Sequence, residues 1–91
     1  MKTNKMTELR GSVIAIVCNS FAGCETLSSI EEARAAANAR IVKGLTAMDN
    51  SGVFEQHEVE DLSNFARGYV ELVSEKTRER VVTTLREQFE F

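Results

Sequence analysis

The sequence predicts an all-α fold, a small three- or four-helix bundle built on helical hairpins, and three observations carry that prediction. There is no proline and there are only five glycines in 91 residues, too few special backbone positions for the turns of a sandwich or barrel. Apolar residues recur at three- and four-residue steps along most of the chain, as one face of a helix requires. Finally, the stretch from Ser28 to Glu58 reads as a capped helix, a tight turn at Asp49-Asn50-Ser51-Gly52 and a second helix start, which together describe a helical hairpin.

The elements follow in order. Met1 to Lys5 is polar and reads as a frayed terminus. From Met6 to Phe21, the residues Met6, Leu9, Val13, Ile16/Val17 and Ser20 keep helical spacing, whereas Ser12 to Cys18 is also a β-branched run suited to a buried strand. A lone strand would leave its backbone groups unpaired, which favours helix. Gly23 to Leu27 is a connection. Ser28 and Glu31 form a capping box, with Ser29 and Glu32 offering the same one residue later, so the second helix runs over Ser29–Met48. Its stripe is Ile30, Ala33, Ala37, Ile41, Leu45 and Met48. Ala35, Ala36 and Ala39 beside it suit close approach from more than one side.

After the turn, Val59, Leu62, Ala66, Tyr69 and Val73 form the next stripe, widened by Phe65, Val70 and Leu72. Val81, Leu85 and Phe89 form another. Only Thr77 is in phase between them, yet no glycine or proline interrupts the register. Two readings fit: helices at Gln56–Val73 and Glu75–Glu90, or one helix about 50 Å long. A helix of that length projects beyond a chain of this size and invites a partner helix.

Composition narrows the function. A chain of 91 residues makes one domain, 1–91, with a modest core, and 43% hydrophobic with 27% charged residues is ordinary for a globular protein. The net charge of −3 leaves no electrostatic footprint for nucleic acid. The longest apolar run, Val13 to Cys18, is far short of the roughly 20 residues that span a bilayer. No membrane partner is expected, and a cytoplasmic location is. The spacing of Cys18 and Cys24 fits neither a redox Cys-x-x-Cys nor a zinc site, so both read as buried, reduced thiols.

Few residues suggest chemistry. Aligned on Gly52, the segment places Ala47, Asp49, Ser51, Val53, Glu55 and Glu58 at the first, third, fifth, seventh, ninth and twelfth places of a calcium loop. In this it resembles an EF-hand, but Ala47 stands where the family has an aspartate, which removes a primary ligand. Glu55, Glu58, Glu60 and Asp61 complement the dipole at a helix start, or form a docking face for a basic partner. His57 has neither a second histidine for zinc nor a nucleophile for acid–base work. Arg34, Arg40 and Lys43, and later Lys76, Arg78, Arg80 and Arg86, are the available phosphate contacts. The spacings Arg67/Glu71, Glu75/Arg78 and Arg86/Glu90 suit solvated pairs along one helix.

Phe89 and Phe91 close the chain with two aromatics that gain little unless buried. The reading that results is a non-catalytic protein–protein interaction module, a self-associating helical regulator or inhibitor without cofactor. Its partners are a second copy and an unidentified protein, met through Glu55, Glu58, Glu60, Asp61, Tyr69, Phe89 and Phe91. Two alternatives are a nucleic-acid-binding transcriptional regulator and a small-ligand or calcium-binding protein.

Overall fold

The computed structural model describes residues 5–89 as three α-helices, with no strand among them: α1 (Lys5–Phe21), α2 (Leu27–Ser51) and α3 (Gln56–Phe89). The fold is all-α. The Ser12 to Cys18 segment is helical, and its β-branched residues are used for packing, with Val13 and Val17 buried. The described helix starts at Lys5, and residues 1–4 of the segment expected to fray lie outside the described residues.

Each helix touches the other two. Lys5 sits over the Phe54 ring and Arg10 over Phe65, so α1 runs parallel to α3. Arg34 reaches Glu71, Glu31 reaches Arg78 and the Cys24 carbonyl reaches Arg80, so α2 runs antiparallel to it. The body is long and flat, 58 × 28 × 17 Å. Its radius of gyration of 15.9 Å exceeds the roughly 12 Å of a compact chain of this length.

The core follows the predicted stripes on α1 and α2. Val17, Ile30 and Val70 are the largest fully buried side chains, joined by Phe21, Cys24, Ala33, Ala37, Ile41, Met48, Leu62, Ala66 and Val81. Alanine at 33 and 37 lets α2 lie close to its neighbours at the centre. Ala35, Ala36 and Ala39 are exposed instead. On α3 the stripe is Leu62, Ala66, Val70, Ser74, Thr77 and Val81. Tyr69 and Val73, expected at its centre, are half-buried flanks, because α2 and α1 straddle the Val70 side of the helix.

Three local expectations are corrected. The N-cap of α2 is Thr26, not Ser28: its hydroxyl accepts from the Ser29 N–H at 3.1 Å, and Ser29 Oγ accepts from the Thr26 N–H at 3.1 Å. Threonine and serine thus build a capping box without the glutamate on which the sequence pattern relied. The Asp49-Asn50-Ser51 stretch is the last turn of α2, not the turn itself. Gly52 ends the helix at φ 70°, a left-handed conformation that glycine adopts without a Cβ penalty. Ser51 Oγ donates to the Met48 carbonyl at 2.7 Å and accepts from the Val53 N–H at 3.3 Å, which closes that end.

Of the two readings of α3, the structure has the single helix, 34 residues and about 51 Å long. Ser74 and Thr77 sit in the buried stripe and carry it through the region where apolar residues thin out. Third, Cys18 is exposed and, of the two cysteines, Cys24 is buried; both are free thiols. Cys24 is held in the α1–α2 connection, where Gly23 takes φ 77° and Cys24 Sγ donates to the Ser29 carbonyl at 3.5 Å.

Candidate functional site

The acidic residues at the start of α3 are engaged locally. The Glu55 carbonyl accepts from the N–H groups of Glu58 and Val59, and Glu58 Oε1 accepts from the Glu55 N–H at 3.0 Å. This is the reciprocal half of a capping box. Glu60 accepts from Gln56 Nε2 at 3.2 Å, and His57 Nδ1 lies 3.1 Å from Glu55 Oε2 with both side chains exposed. Asp61 is exposed on the same end. The four carboxylates therefore lie at one helix start, which the Glu58 side chain caps.

The same geometry breaks the calcium-loop resemblance. Ala47, Asp49 and Ser51 are helical, so they cannot wrap an ion as a loop does, and Glu58 is turned to its own cap. Among the described residues, no group of His, Cys, Asp and Glu side chains is arranged to hold a metal.

Tyr69 belongs to a cluster on the α1–α3 face. Its ring stacks on Phe65 with centroids 5.9 Å apart, Arg10 covers Phe65 at 5.6 Å, and its hydroxyl lies 3.6 Å from Cys18 Sγ. The hydrogen bond with Cys18, with a little desolvation, raises the phenol above its ordinary pKa. Tyr69 lies two turns along α3 from Asp61, on the same side of the helix, with Phe65 between them.

The basic residues divide too. Arg34 pairs with Glu71, Arg78 with Glu31 at 3.4 Å, and Arg80 donates to the Cys24 carbonyl at 2.9 Å. Glu71 and Arg78, expected to pair along α3, bridge to α2 instead, because α2 lies within reach along that edge.

The far end of α3 differs from all of these. Val81 is 3% exposed, Leu85 37% and Phe89 77%. The α1–α2 connection stops near this level, and residues 23 to 26 with Arg80, Thr84, Leu85 and Gln88 frame a groove of about 640 Å³. A smaller groove of about 370 Å³ runs between α2 and α3 beside Arg34, Val42 and Glu71. Phe89 is thus not docked on the core of its own chain, and Phe91 lies outside the described residues. The spacing Val81/Leu85/Phe89 pointed to this stripe, but nothing local in the sequence marks where its cover ends.

No protein family matches the chain, and no curated protein or solved structure is similar to it. No helix among the described residues is long and apolar enough to cross a membrane.

Proposed function

We propose that the chain is a non-catalytic protein–protein interaction module: one domain, a small bundle of two hairpins sharing α2, that self-associates and regulates or inhibits another macromolecule. The observation that supports this reading best is the end of α3. Its core-forming stripe continues in phase through Leu85 and Phe89 after the other helices have stopped, so Leu85 is partly and Phe89 largely exposed to water near the end of the helix. Such surface gains free energy on burial, at about 25 cal/mol per Å². Exposed Val42, Leu72 and Leu27 on the body add further places for a partner to bury. Two free thiols with no disulfide between them fit a reducing compartment, in keeping with a cytoplasmic protein.

Affinity capture of the tagged full chain from lysate of its own cells, with the mass of the recovered complex, tests the reading. A foreign protein in fixed stoichiometry is the expected result. Recovery of nucleic acid or a small ligand without a protein partner overturns it.

A further inference from the structure

Deepening the self-association part of that reading, we infer that the projecting end of α3 is a self-complementary docking surface for a second copy of the chain, paired antiparallel over residues 78–89. Arg78, Val82, Leu85 and Phe89 are spaced four, three and four residues apart, which places them within about 60° of arc on one side of the helix. This is the a/d spacing of a coiled-coil seam. Arg78 is half-exposed beside Glu31, Val82 and Leu85 are partly exposed and Phe89 is largely exposed, so the seam opens progressively toward the projecting end. The overlap of 12 residues is about 18 Å long.

Charge decides the occupant and its direction. Glu79 and Arg86 are seven residues apart on the same flank of the seam. In an antiparallel pair related by a two-fold axis, Glu79 of one copy meets Arg86 of the other, and the contact occurs twice. Within the seam the layers are then Val82 against Leu85 of the second copy, Leu85 against Val82, and each Phe89 against the guanidinium of Arg78, a favourable cation–π contact. A parallel pair would instead set Arg78 against Arg78 and force the two three-helix bodies to the same side. The antiparallel arrangement sends them to opposite ends. The seam is shorter than a standard interface, so the dimer is weak and depends on concentration.

Sedimentation velocity of the full chain, from about 1 µM to about 1 mM, tests this. A monomer–dimer equilibrium is expected. Leu85→Glu should weaken it roughly 100-fold or more, since each dimer carries the change twice. Circular dichroism should keep its helical signal, because Leu85 is already partly exposed. Glu79→Arg and Arg86→Glu should each weaken it roughly three- to tenfold by placing like charges together, while an equimolar mixture of the two variants should associate at least as tightly as the natural chain. A dimer unmoved by Leu85→Glu, or a mixture no tighter than either variant alone, overturns this pairing but leaves self-association standing. A monomer at every concentration overturns both, and capture of a foreign protein remains a separate result.

Discussion

The two parts of α3 have the same periodicity and opposite environments. From Leu62 to Val81, apolar and small residues recur every three or four positions and are buried against α1 and α2. From Val82 to Phe89 the recurrence continues at the same step, but Leu85 and Phe89 are exposed. Local sequence therefore sets which side of a helix is apolar, whereas burial depends on how far the neighbouring helices reach. Here α1 has 17 residues and α2 has 25, against 34 in α3, so the longest helix must outrun its cover.

That contrast can be broken by matched truncations. Ile30→Ala removes a fully buried side chain and should cost about 2–4 kcal/mol in chemical denaturation. Val70→Ala should cost less because fewer atoms leave, and Leu85→Ala in dilute solution should cost under about 0.5 kcal/mol. A Leu85 change as damaging as one at Val70 would mean that both parts are equally covered. The two helix ends come next: Thr26→Ala loses the N-cap of α2, and Gly52→Ala forces a side chain into φ 70°. Each should lower stability by about 1 kcal/mol, read as a drop in melting temperature.

Ser74 sharpens the comparison in the opposite direction. Its Oγ is buried and has no hydrogen-bond partner in the structure. Ser74→Ala should therefore leave stability unchanged or raise it by up to about 1 kcal/mol in the same denaturation experiment. The smallest effect belongs to the Arg34–Glu71 pair, whose side chains are both partly exposed. Arg34→Ala should change stability by at most about 0.5 kcal/mol, and added salt should reduce even that difference.

The helical class and most of the core stripes were legible in the sequence, because proline is absent and the stripes of α2 have strong periodicity. Ile30, Ala33, Ala37, Ile41 and Met48 are all buried where their spacing put them. The cap was misread because Ser28/Glu31 and Thr26/Ser29 are both chemically competent, and the choice depends on where Cys24 is anchored by Arg80 and Phe21. The course of α3 through Ser74 and Thr77 could not be read locally. Two polar residues in an apolar stripe suggest a break, and only the packing of α2 beside them supplies the cover that keeps the helix whole. The acidic candidates Glu55 and Glu58 were legible as a helix start, and the structure gives them that role. The projecting tip was visible as a stripe but not as a surface, since exposure is decided by the lengths of other helices.

Hydrogen exchange along α3 at low and high protein concentration tests the central claim most directly. In dilute solution, amides from Leu62 to Val81 should exchange slowly and those from Val82 to Phe89 quickly, and the second group alone should gain protection as the protein is concentrated. Equal protection along the whole helix in dilute solution, or a tip whose exchange does not respond to concentration, would contradict it.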